Sequence, residues 1–355
     1  MDGWSGGQTQ VLGLARGLAQ RGHRVVVVAR PGGPLAQRAG ETLTVVEVPM
    51  RGEWDLPSAL RLGTLLRRLA PDVVHLHSPV AHTLGGVGAR LAGVPVVVAH
   101  KRTDFVPRAG WLKRWRFERL VDRMVAISQA SRQALEQAGV RPEQIRVIYS
   151  SVNTERYRPG AVPPACPGVP AGAQLVAAVG TLHARKGHDV LLRAVALLAG
   201  RYPDLRVALV GEGPERDHLG QLAASLGIGE RVVLTGNLAD VRPVLEACQV
   251  VAMPSRLEGL GVSALETMAM GKPLVASSAG GLTEVVEPEQ TGLLVPRDDP
   301  QALAAALDRL LGDAELRARL STAARQRAVD TFSVERMVEC TEQLYRELLA
   351  AKART

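Results

Sequence analysis

Aromatic residues supply only 3% of the 355 positions, the three cysteines stand far apart at 166, 248 and 340, and lysine occurs only at 101, 113, 186, 272 and 352. Each scarcity excludes something. So few rings leave little material for the stacking platforms that grip single-stranded nucleic acid, and no recognition motif accompanies the positive charge. Nucleic acid is therefore not an expected partner. Three scattered thiols make neither a disulfide framework nor a zinc site and fit a reducing compartment. No apolar run approaches the roughly 18 residues a membrane-spanning helix needs. The opening Met1-Asp2-Gly3-Trp4-Ser5-Gly6-Gly7 has neither the basic start nor the apolar stretch of a secretory leader. The expected location is the cytoplasm. Asp-x-Asp, a common device for holding a metal on a diphosphate, is also missing, so no obligatory metal or other cofactor is expected.

What is present is a basic chain, net +8, with 46% hydrophobic residues, long enough for two cores. The charge calls for an anionic partner. Short β-branched runs alternate with Leu/Ala/Arg-rich helical patterns. The first series falls at 24–29, 42–48, 72–77, 95–99, 124–127 and 146–149. The second falls at 174–179, 205–210, 231–234, 250–253, 273–276 and 292–295. Continuous apolar runs such as Val25-Val26-Val27-Val28 fit strands covered on both faces. The alternation predicts an α/β fold of βαβ units and doubly wound parallel sheets.

Residues 158–170, rich in Pro and Gly, read as an interdomain linker. The expected domains are 1–157, 158–331 and a closing helical segment 332–355. One element is short: the first domain opens on a glycine loop, Trp4-Ser5-Gly6-Gly7-Gln8, where a strand should come first. A truncated chain or an upstream start is the expectation drawn from that.

The richest segment runs Pro254-Ser255-Arg256-Leu257-Glu258-Gly259-Leu260-Gly261-Val262-Ser263-Ala264-Leu265-Glu266-Thr267-Met268-Ala269-Met270-Gly271-Lys272-Pro273. A strand gives way to a glycine-rich loop carrying Glu258, and a helix beginning near Ser263 ends at Gly271. Free N–H groups at such a helix start, here Gly261, Val262 and Ser263, make an anion site. The same residues also read as a capping box in which Glu266 satisfies its own helix end. A second loop, Gly180-Thr181-Leu182-His183-Ala184-Arg185-Lys186-Gly187-His188, follows strand 174–179, at the strand end where doubly wound sheets bind ligands. Its cations suit either a diphosphate or plain solvent. Gly211-Glu212-Gly213-Pro214 lacks a dinucleotide fingerprint and reads as a tight turn with Pro214 in a first helical turn. Asp72-Val73-Val74-His75-Leu76-His77 and Val96-Val97-Val98-Ala99-His100 both end strands on histidine.

The Glu258 to Glu266 stretch resembles the signature of the group 1 retaining glycosyltransferases: Glu, seven residues, Glu, then a Met-Ala-x-Gly-x-Pro block. It continues through Val275-Ala276-Ser277-Ser278-Ala279-Gly280-Gly281 to Gly292-Leu293-Leu294-Val295. The resemblance implies a GT-B fold, two facing Rossmann-like domains with a C-terminal helix crossing back to the first. It implies transfer from a nucleotide-diphosphate sugar to a cell-envelope glycan or lipid, as in lipopolysaccharide synthesis. Glu258 would hold donor-sugar hydroxyls, Glu266 the ribose, and the N–H groups of Leu260, Gly261 and Val262 the sugar and diphosphate. Lys186 matches the family's diphosphate lysine. Thr181 stands where an arginine is usual, and Arg185 would supply that charge. Asn237 and Leu238 fall at the base pocket, His100 where a histidine faces the donor sugar, and Gly6 and Gly7 at the glycine loop. The rivals are a non-catalytic or truncated sugar-nucleotide-binding protein, a GT-B epimerase and a phosphorylase.

On the acceptor side, residues 108–121 mix Trp111, Leu112 and Trp115 with Lys113, Arg114 and Arg116. An amphipathic helix of this kind suits an anionic membrane surface. Packing of Phe117, Leu120, Val121 and Met124 on the sheet is compatible with it.

Overall fold

The computed structural model describes residues 6–102 and 119–354. It falls into two compact units, Met1–Ser151 with Val334–Thr355, and Val152–Ser333. Each of the twelve apolar runs contributes one strand, and every pairing between strands is parallel. The basic aromatic segment falls largely within 103–118, outside the described residues. No helix among the described residues is long and apolar enough to cross a membrane.

In the first unit β1 (Val26–Ala29) pairs with β2 (Thr44–Glu47). A separate sheet has the order β3 (Val73–Leu76), β4 (Val96–Lys101), β5 (Arg123–Ala126), β6 (Ile145–Val147). Among the described residues β1 pairs with β2 alone and β3 with β4 alone, so the first unit's strands fall into two sheets. The expected glycine loop is also corrected. Gly6 and Gly7 are already the first residues of helix Gly6–Gln20. Glycine's backbone freedom costs a helix about 1 kcal/mol per residue, which the buried contacts of Leu14 and Leu18 further along offset. That helix buries Leu14 and Leu18 with Val96 and Val98 of β4 and with Met337, Val338, Leu344 and Leu348 of the closing helix Val334–Lys352.

The second unit holds one six-stranded sheet, β12-β11-β10-β7-β8-β9. Its strands are β7 (Gln174–Val179), β8 (Leu205–Val210), β9 (Val232–Gly236), β10 (Val250–Met253), β11 (Leu274–Ser277) and β12 (Leu293–Val295). Every residue of β10 and β11 is buried, as expected of apolar runs sandwiched by helices. The chain leaves β7 toward β8 and β9, then returns to build the other half from β10 outward. The winding therefore reverses between β7 and β10, and the carboxyl ends of those two strands frame the crevice where such sheets bind ligands.

The Pro/Gly-rich stretch 158–170 is not a connection between the units but part of the second. The Gly160 N–H donates to Glu246 at 3.1 Å and the Ala165 N–H to the Pro243 carbonyl at 3.0 Å. Composition excluded a helix there correctly, but irregular backbone is also held by hydrogen bonds to a neighbouring element. The chain enters and leaves this unit side by side: the Val152 N–H donates to the Phe332 carbonyl at 2.8 Å.

Candidate active site

Two loops meet at the winding reversal. After β7 a short turn, Ala184–Lys186, ends on Gly187 and leads into helix His188–Leu198. Gly187 has φ +66°, and a Cβ there would lie 2.0 Å from the Pro254 carbonyl oxygen. Only glycine lets this turn press onto the loop that follows β10. Across that contact the Lys186 ammonium is ion-paired to Glu258, which is 8% exposed and also receives the Ser255 hydroxyl at 3.3 Å. Arg256 ties the two loops a second time. Its guanidinium makes two 2.8 Å bonds to Asp189, one of 2.5 Å to Asp298 and one of 2.6 Å to the Ala184 carbonyl.

Helix Val262–Ala269 starts on Gly261, whose φ of +91° sets the entry. The N–H groups of Ala264 and Leu265 return to the Gly261 carbonyl; those of Val262 and Ser263 begin the helix with no side-chain cap. This is the open positive end that binds anions. Ser263 is therefore the second helical residue and not the cap, which removes the capping-box reading of Ser263 and Glu266. The Glu266 carboxylate instead takes the Tyr157 hydroxyl. Burial pushes its pKa up to about 7, opposed by Tyr157 and by the charge of Arg156. The Gly281 N–H donates to the Glu258 carbonyl at 3.0 Å, fixing the loop after β11 against the same site.

In the first unit, β3 carries His75 with His77 just beyond it, and β4 carries His100 with Arg102 just beyond. Ring centroids lie 4.1 Å apart for His75 and His77, 5.4 Å for His75 and His100, and 5.5 Å for His77 and His100. His100 is 3% exposed. Burial, then the Arg102 charge, hold His100 well below the usual imidazole range.

Comparison with known proteins now bears on the site. The family profile described as glycosyl transferases group 1 matches residues 167–327, and glycosyltransferase family 4 matches 4–156. A D-inositol 3-phosphate glycosyltransferase of Saccharomonospora viridis is 35% identical over 79% of this chain and 71% of its own. The lipopolysaccharide core biosynthesis glycosyltransferase LpsE of Rhizobium meliloti is 31% identical over 96% of this chain and 94% of its own. The chain belongs to the group 1 glycosyltransferases. In fold the transferase is similar to Anabaena Alr3699/HepE, solved in complex with UDP, with TM-score 0.83 at 23% identity over 98% of each chain. Its architecture is GT-B.

Of the residues read from sequence, Lys186 and Glu258 are brought together as an ion pair in the second unit, and Leu260, Gly261, Val262 and Glu266 follow in the same loop and helix. Arg185 sits beside Lys186, but its ordered contact is through the backbone: its carbonyl accepts the Arg256 N–H at 2.8 Å. Asn237 and Leu238 follow β9, whose last carbonyl, at Gly236, accepts the Gly211 N–H at 3.0 Å. Pro214 lies in the turn before helix Arg216–Ser225 rather than within its first turn. His100, Gly6 and Gly7 belong to the first unit. Sequence reasoning missed Arg256 with Asp189, and Tyr157. No spacing rule links residues 67 positions apart, although an arginine inside the Glu258 loop was a signal in plain view.

Proposed function

We propose that the transferase takes a sugar from a nucleoside-diphosphate donor with retention of configuration and without a metal, and passes it to a cell-envelope glycan or lipid. The observation that carries this is the convergence of Lys186, Glu258 and the open start of helix Val262–Ala269 at the β7/β10 reversal. A diphosphate placed on that helix start would draw Lys186 from Glu258. The lysine would then meet the charge that builds on the leaving group, the main electrostatic demand of the reaction. Glu258, released, would accept donor-sugar hydroxyls, and Glu266 the ribose. The base would be read by backbone groups near Asn237 and Leu238. His100, Gly6 and Gly7 stand on the first unit, where this reading puts the acceptor. With the acceptor hydroxyl attacking on the face the diphosphate leaves, no enzyme nucleophile is required.

Two findings support the reading. Anabaena Alr3699/HepE, of the same fold, has been solved in complex with UDP-glucose, and the name of LpsE places that relative in lipopolysaccharide core biosynthesis. A thermal-shift and hydrolysis screen of nucleotide sugars tests the donor. One donor should shift the wild type and not Glu266→Ala, and transfer should persist in EDTA. A panel with no shift at all would remove the proposal. Contact with an anionic membrane surface through residues 108–121 belongs to the same reading, and protein that ignores anionic liposomes at low salt would end that part.

A further inference from the structure

Adjacent parallel strands β3 and β4 deliver four nitrogen-bearing side chains to one carboxyl edge of the first unit. One ring nitrogen from each of His75, His77 and His100 lies within 4.8 Å of the other two. We propose that this edge grips a phosphate-type oxyanion carried by the acceptor, held by the imidazole N–H groups of His75 and His77 and by the Arg102 guanidinium. The inference rests on the reading that this unit takes the acceptor, and deepens it by naming an anionic acceptor.

The neighbouring groups favour an anion over a metal. Arg102 Nη2 lies 3.1 Å from His77 Nδ1, and a guanidinium only donates. His77 Nδ1 is therefore bare, and its proton sits on Nε2. His75 Nδ1 is 2.6 Å from the Tyr345 hydroxyl, which burial keeps protonated far above neutral pH. That pair occupies Nδ1 and leaves Nε2 as the unpartnered ring nitrogen of His75. Among the described residues no acceptor meets His75 Nε2, either nitrogen of His100, or Nε and Nη1 of Arg102, all of them buried. A buried cluster with this surplus of donors calls for oxygens from outside. A metal would bring two more positive charges against a guanidinium.

The electrostatics agree. Burial, then Arg102, pushes His75 down to about 3. His77 is held well below its usual range by burial, His75 and Arg102 in that order. No carboxylate among the described residues is a cause of these shifts. His82, in the first turn of helix Pro79–Ala92, also acts on all three, so the Ser78-capped start of that helix lies near and adds its dipole. A bound oxyanion would reverse the sign of the local field and draw protons onto the imidazoles.

Calorimetric titration of the full chain with inorganic phosphate, a polyol monophosphate and UDP tests this. Phosphate and the polyol monophosphate should bind wild type at millimolar concentration with uptake of protons, and at least tenfold more weakly to Arg102→Gln and His77→Leu. UDP should bind those two variants normally. Glu266→Ala should lose UDP yet keep phosphate, so failure of the donor reading and failure of this one show in different arms. If Arg102→Gln does not fold, Arg102→Lys and His75→Leu carry the same comparison. No phosphate binding to wild type, phosphate binding indifferent to these variants, displacement of phosphate by UDP, or tight Zn2+ binding that survives Arg102→Gln would each overturn the proposal.

Discussion

The two units handle charge at their strand ends in opposite ways. In the second, three cations near the crevice are matched from within the fold: Lys186 by Glu258, Arg256 by Asp189 and Asp298, Arg242 by Asp240. In the first, Arg102 and three imidazoles crowd together with no acid among the described residues to offset them. A pre-paired site keeps its geometry while empty and exchanges partners when ligand arrives. An unpaired one stores a cost that the right ligand removes, which favours selectivity over rigidity.

That contrast can be broken by mutation. The largest expected effect is Lys186→Ala, which strips the pre-paired site of its cation. Transfer should fall by about 10²–10³, as for loss of a donor to transition-state charge, with nucleotide affinity changed only a few-fold. Normal turnover would mean that the pairing is merely structural. Next, Gly187→Ala forces a left-handed φ and a clash with the Pro254 carbonyl. It should cost about 2 kcal/mol or more in thermal unfolding and lower transfer with it.

Glu266 sharpens the comparison through pH. Its folded pKa is raised to about 7, so the carboxylate is mostly ionised at pH 8 and mostly protonated at pH 6. Ribose hydroxyls donate to the ionised form, so nucleotide binding should release a proton and weaken about tenfold from pH 8 to pH 6. Glu266→Gln should flatten that profile. In stability the sign is opposite: with the carboxyl pKa raised from 4.5 to about 7 on folding, the folded state loses stability as pH climbs from about 4.5 to 7, and bound nucleotide should offset the loss. A pH-independent wild-type affinity would detach Glu266 from the nucleotide. The smallest effect expected is Arg256→Ala, about 1 kcal/mol of stability, because its bonds are bidentate but partly solvated. Melting curves of wild type and variant suffice to check it.

Element positions were legible because their signal is local. Apolar runs bounded by Gly, Pro or charge located every strand, and 174–179, 205–210 and 250–253 match β7, β8 and β10 residue for residue. What escaped depends on pairings between distant segments. The Asp189–Arg256 fork, the Tyr157–Glu266 bond and the Gly160–Glu246 contact each join residues that no periodicity relates. The Ser263 capping box failed for a different reason. Its spacing is right, but the left-handed Gly261 starts the helix early and leaves Glu266 free to turn elsewhere. The split of the first unit's strands between two sheets is likewise a matter of pairing, which alternation alone does not encode.

The second unit is spliced, whole, into the middle of the first, and the helix Val334–Lys352 that completes the first unit's core is made after it. During synthesis the usual amino-to-carboxyl order of domain maturation is therefore inverted. The inserted unit can finish folding while the earlier-made unit still waits for Met337, Val338, Leu344 and Leu348. For about 180 residues of elongation, at roughly 5–20 residues per second some 10–40 seconds, the apolar face around Leu14, Leu18, Val96 and Val98 has no partner. That interval is when the nascent chain most needs a chaperone.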